Sequence, residues 1–122
     1  MSLTHFVRLS LLILLSAIGL VGCGDASQSE NNYQTLITDA KSRIQQIDVQ
    51  TLADRQQQDP NLLIIDVRED NEWLAGHIRG AIHINRGILE RQVSERFPDL
   101  SRPIILYCEG GGRSALSADS LQ

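Results

Sequence analysis

Apolar residues are distributed unevenly along this chain. Residues 9–21 form a nearly unbroken apolar run, and the remainder mixes apolar and polar positions in short segments. Tyr33, Leu36, Ile37, Ala40, Ile44 and Ile47 recur at helical spacing, which predicts an amphipathic helix over residues 33–45 packed on a domain. Asp48 is placed to cap a second helix reaching Gln57, with Val49, Leu52 and Ala53 on its buried side. Asp59-Pro60-Asn61 reads as a turn. Leu62-Leu63-Ile64-Ile65-Asp66-Val67 is a short, almost continuous apolar run, as expected for a strand covered on both faces of a parallel sheet. A short helix is expected over residues 69–75, stopped by Gly76, and a second strand over 81–84. Ile88, Leu89, Val93 and Phe97 predict a helix over 87–96 that Pro98 ends. Residues 103–107 predict a third buried strand, and Ala115, Leu116, Ala118 and Leu121 place a final helix from Ser114 onward. Strands alternating with helices give an α/β domain, a mainly parallel sheet flanked by helices.

The run at residues 9–21 is about 20 Å long as a helix, too short for a ~30 Å hydrocarbon core. With Arg8 ahead of it and small residues at its end, it reads as a cleaved signal peptide over residues 1–22. Leu20-Val21-Gly22-Cys23 resembles the lipobox of bacterial lipoproteins, which implies cleavage after Gly22 and lipidation of Cys23. Two or three acyl chains make a stable anchor where one is marginal. Residues 24–32 are polar and read as a flexible tether, so residues 23–46 comprise the lipidated N-terminus, the tether and the amphipathic helix, with the domain proper at 47–122. The resemblance implies a bacterial cell envelope location facing the periplasm. Gly24, standing where Asp holds Gram-negative lipoproteins in the inner membrane, leans towards the outer membrane.

Charge narrows the partners. Of 11 Lys and Arg, Arg8 alone precedes residue 23, leaving 10 against 15 Asp and Glu, a net of −5. Lys41 is the one lysine. With no basic patch, nucleic acid is not an expected partner. Cys23 and Cys108 are separated by 85 positions, with no metal-ligand cluster around either, so no metal is expected. A Cys23–Cys108 disulfide is possible only where Cys23 is not lipidated.

The chemistry centres on Cys108. The third strand runs straight into Cys108-Glu109-Gly110-Gly111-Gly112-Arg113-Ser114 and then a helix start. Glycines let successive N–H groups turn inward, and the helix N-terminus adds partial positive charge. Such a cradle favours a thiolate and lowers the thiol pKa.

Cys108-x-x-Gly111-x-Arg113-Ser114 resembles the active-site loop of rhodanese-like sulfurtransferases. Asp66-Val67-Arg68-x-x-x-Glu72-Trp73-x-x-Gly76-His77-Ile78-x-Gly80-Ala81 resembles that family's other signature block, and together the likeness covers about residues 44–122. The resemblance implies that Cys108 takes sulfur from a donor such as thiosulfate or a persulfide and passes it to a thiol or cyanide, with no cofactor. The N–H groups of residues 109–113 act as the anion hole, so Glu109, Gly110, Gly111, Gly112 and Arg113 are the expected substrate-binding residues. Arg113 adds charge to the donor site or faces away to pair with an acid. Supporting roles fall to Asp66, fixing its loop by hydrogen bonds, to an Arg68–Glu72 ion pair at i,i+4, and to His77 as a structural histidine; Trp73 is expected in the core. Glu109, directly after Cys108, is expected to repel dianionic thiosulfate and to raise the thiol pKa. The family usually continues beyond the helix in which Gln122 lies, so the chain resembles a rhodanese-like domain shortened at its C-terminus. Two other readings stand beside this one: a non-catalytic rhodanese-like binding module or inactive truncated remnant, and a related phosphatase. The latter uses a Cys-x5-Arg loop, one residue longer than the Cys-x4-Arg here. The oligomeric state is open.

Overall fold

The computed structural model of the chain describes residues 26–99 and 101–122. The expected signal peptide and the lipid-bearing Cys23 lie outside the described residues. The elements are helix α1 (Ala26–Arg43), α2 (Val49–Gln58), strand β1 (Leu63–Asp66), α3 (Asp70–Ala75), β2 (Ile82–His83), a single 3-10 turn (Arg86–Ile88), α4 (Leu89–Arg96), β3 (Ile104–Tyr107) and α5 (Gly112–Ser120). The strands form a parallel sheet in the order β2-β1-β3. This is the α/β architecture that the alternation of patterns predicts. Among the described residues, no helix is long and apolar enough to cross a membrane.

Local signals explain most element ends. Asp48 caps α2 by accepting from Thr51 N–H at 2.7 Å. Asn85 accepts from Gly87 N–H at 2.9 Å and starts the 3-10 turn that leads into α4. Gly111 caps α5 in the left-handed region, φ +78°, where a Cβ is strained.

β1 occupies the centre of the sheet and is buried throughout. Leu63, Ile65 and Val67 alternate onto one face, where they join Ile84, Leu89 and Val93 in a single buried cluster. Asp66 is turned to the opposite face and is also fully buried.

Four sequence expectations change. α1 begins at Ala26, so most of the stretch read as a tether is helical. It ends at Arg43, before Ile44 and Ile47; its buried residues are Ile37 and Ala40, while Tyr33 and Leu36 are exposed. The reason is packing: α1 lies against α5, so only a narrow stripe is covered. Val49 is exposed too, leaving Leu52 as the anchor of α2. β3 is half-buried rather than buried on both faces, because it forms an edge of the described sheet. A groove of about 660 Å³ runs beside it, lined in part by Ile44, Ile47, Ile105 and Ala118.

Candidate active site

β3 delivers Cys108 to the end of the sheet, and the left-handed turn at Gly111 folds the following chain back over its sulfur. Gly111 N–H donates to Sγ at 3.2 Å and Ser114 N–H at 3.4 Å, and Ser114 Oγ lies 3.5 Å away. Burial pushes the thiol pKa up. The Ser114 hydroxyl and the N–H groups of Ser114, Gly111 and Arg113 outweigh it together, so the pKa falls below its ordinary 9.0. Among the described residues the half-buried sulfur has no disulfide partner. As a thiolate it would accept from the Ser114 hydroxyl, which in the resting arrangement bonds Gly111 O at 3.3 Å.

The strand next door ends in a different arrangement. Asp66 is buried, which raises its pKa, but Arg68 and the Tyr107 hydroxyl together more than offset this and the carboxyl is held below its ordinary 3.8. Arg68 Nη2 donates to Asp66 Oδ2 at 2.7 Å, Nε donates to both carboxylate oxygens at 3.0 Å, and the Arg68 N–H caps Oδ1 at 3.0 Å. A further Nη2 bond to Gly76 O at 2.7 Å closes the loop over α3. Tyr107, the residue before Cys108, joins this network. Its hydroxyl accepts from Ile78 N–H at 3.1 Å, and its ring lies under the Arg68 guanidinium at 5.5 Å. Val67 N–H donates to Tyr107 O at 3.1 Å.

The Arg113 guanidinium forms a two-pronged pair with Glu72, at 2.6 and 2.7 Å. That pairing holds the Glu72 pKa down to about 2. Glu72 Oε2 also accepts from Glu69 N–H at 3.0 Å, so one carboxylate caps α3 and grips the loop.

Residues 48–122 match the Rhodanese-like domain family. The chain belongs to this family. The Bacillus subtilis (strain 168) protein named "Uncharacterized protein YqhL" is 41% identical over 59 residues, covering 48% of this chain and 45% of that protein. From the same organism, "Putative sulfur carrier protein YrkF" is 31% identical over 81 residues, covering 66% of this chain and 43% of that protein. The chain thus spans less than half the length of these curated relatives. Family membership associates the rhodanese-like chain with sulfur chemistry.

Within this rhodanese-like domain, the expected site residues divide into groups. Cys108, Gly111 and Arg113 come together, the latter two through their N–H groups. Glu109 points outward, its side chain 83% exposed and 4.0 Å from Arg113. The net shift of the thiol pKa is downward, the direction expected of the cradle, because the donors at Sγ outweigh burial. Gly110 has open space at its Cβ position, whereas a Cβ on Gly112 would sit 2.8 Å from Ile37 Cδ1 of α1. The Arg68–Glu72 pair does not form: Arg68 goes to Asp66 and Glu72 to Arg113. Asp66, two residues away and buried, offers Arg68 a desolvated partner that a surface i,i+4 carboxylate does not. Trp73 is half-buried rather than in the core, stacked 3.4 Å from the His77 ring and 5.1 Å from that of His83. His77 Nδ1 bonds Trp73 O at 3.1 Å, a contact within the α3 end and not with Cys108.

Sequence reasoning passed over Ser114 and Tyr107 as site residues. Ser114 lay in the quoted motif without a role; a hydroxyl six residues after the cysteine, on the first turn of the helix, is the signal that was available. Tyr107 offered none beyond its place at a strand end.

Proposed function

We propose that the chain is a sulfurtransferase carrying sulfane sulfur on Cys108. The observation that carries this is the convergence of the Gly111 and Ser114 N–H groups and the Ser114 hydroxyl on one half-buried sulfur. The Cys108 thiolate attacks the outer sulfur of a donor. With thiosulfate, the bond to the sulfonate sulfur breaks, sulfite leaves with its electron pair, and Cys–S–S⁻ remains. A thiolate acceptor then attacks the terminal sulfur, takes it as a persulfide and regenerates the Cys108 thiolate; cyanide takes it as thiocyanate. The cradle stabilises both anions with dipoles that need no reorganisation.

A donor-treated chain should gain one sulfur atom in its intact mass, reversibly with reductant, and Cys108→Ser should gain none. Equal loading of the mutant, or no loading of the wild type, would count against the proposal, the second outcome favouring a non-catalytic binding module.

We further infer that Cys23 is lipidated and holds the domain at the bacterial cell envelope, facing the periplasm. The Leu20-Val21-Gly22-Cys23 motif supports this reading. Cys23→Ser should abolish incorporation of labelled fatty acid, and unchanged labelling would remove this anchor.

A further inference from the structure

The cradle around Cys108 holds an anion by dipoles, and the cation that its own loop offers is already taken. Both terminal nitrogens of Arg113 are bonded to Glu72. A second cation reaches the loop from outside the residues matched to the family. α1 packs along α5, pinned at its end by Arg43, which donates to the Asp119 carboxylate at 2.6 and 2.7 Å. Its inner stripe crosses the glycine loop: Ile37 stands against Gly112 and Lys41 against Gly111. The Lys41 Nζ lies 3.7 Å from where a Gly111 Cβ would be, and the same Gly111 donates its N–H to Sγ at 3.2 Å. By ordinary covalent geometry this brings the ammonium within about 10 Å of the sulfur.

Two further observations turn this proximity into a site. Lys41 has neither ion pair nor hydrogen bond among the described residues. It also lines, with Cys108, Gly111 and Ser114, the groove beside β3. Arg102, another cation of that groove, is tied to Asn61 O at 2.7 Å. A side chain on Gly111 would start 3.7 Å from the Lys41 Nζ and would strain the backbone at φ +78°.

We propose that Lys41 is a specificity-determining residue that selects small anionic reagents for Cys108, acting as the charge partner for the sulfonate or carboxylate end of a sulfur donor. The inference rests on Cys108 being the sulfur-bearing group, and it names the substrate class for that site. α1 is then part of the active site and not only a spacer. An unpaired ammonium beside the loop attracts an incoming anion without neutralising the thiolate in advance, because a thiolate there is satisfied by its own N–H donors.

The test separates anion selection from sulfur transfer. Iodoacetate and iodoacetamide both alkylate a thiolate with loss of iodide, and they differ by one negative charge. The ratio of their rates at Cys108, read by peptide mapping on the full chain, should fall roughly three- to tenfold in Lys41→Gln and recover in Lys41→Arg. The effect should shrink at high ionic strength. In parallel, Lys41→Gln should raise KM for thiosulfate by a similar factor with kcat little changed. An unchanged alkylation ratio in Lys41→Gln overturns the inference, as does a Lys41→Arg variant that behaves like Lys41→Gln. A wild type that shows the ratio but takes no sulfur from thiosulfate retains anion selection by Lys41 and overturns the sulfurtransferase reading instead.

Discussion

The chain places two acidic groups, a carboxyl and a thiol, at the ends of adjacent parallel strands and treats them in opposite ways. At the end of β1, Asp66 is fully buried and matched by a guanidinium, Arg68, through bonds of 2.7 to 3.0 Å. At the end of β3, Cys108 is half-buried, and the groups at its sulfur are backbone N–H groups and a hydroxyl. A charge matched by a formal counter-charge is fixed and belongs to the architecture. An anion held by dipoles can be converted from thiol to thiolate to persulfide without stranding a buried cation. The ion pair therefore suits a joint, and the cradle suits a reacting atom. Tyr107 links the two, with its hydroxyl and ring in the Asp66–Arg68 network and its peptide leading directly to Cys108.

Breaking the joint should have the largest effect on stability. Asp66→Ala leaves Arg68 unpaired against the sheet, which costs about 3 kcal/mol, the lower end for a broken buried pair because Arg68 retains some solvent contact. Against a typical total of ~5–15 kcal/mol this is a large share, and a urea unfolding midpoint will read it. A midpoint within error of the wild type would mean that the pair is not a joint.

Loosening the cradle should instead move chemistry with little change in stability. The Cys108 pKa is depressed, so the thiolate is present above the folded pKa and is lost as pH falls through it. The stability it contributes is complete only above the ordinary 9.0. Ser114→Ala removes one donor. Hydrogen bonds to charged groups contribute ~1.5–3 kcal/mol, so losing this one moves the thiol pKa upward, by less than in a dry site because the sulfur keeps some solvent access. The pH profile of Cys108 alkylation by iodoacetamide should move up accordingly. A profile that stays in place would assign the depression to the backbone alone.

The smallest effect is expected at Glu109, whose carboxylate is exposed and close to Arg113. Glu109→Gln should change kcat/KM for thiosulfate by no more than a few-fold, since an exposed charge contributes ~1 kcal/mol or less. A larger gain would show that the carboxylate swings over the sulfur, and the charge ordering around the loop would need to be redrawn with Glu109 ahead of Lys41.

The amino-acid sequence by itself determined the alternation of elements, the parallel α/β plan, the Asp48 cap and the cysteine loop. These depend on residues within a few positions of one another: apolar runs, a capping aspartate, glycines between a strand and a helix. Buried Asp66 and the lowered Cys108 pKa were legible for the same reason, each being set by neighbours in its own loop. The tertiary structure decided the ion-pair partners. Arg113 and Glu72 are 41 positions apart, and nothing local ranks that pair above an i,i+4 contact until the β1 and β3 ends are brought together by the sheet. It decided that Trp73 stacks between histidines, since a half-buried surface and a core look alike in a hydrophobic pattern. It also decided the role of α1. Helical periodicity marks a helix and its apolar stripe, but which surface covers that stripe is a docking choice made by shape and charge. That choice sets Ile37 on Gly112 and Lys41 beside the cysteine loop.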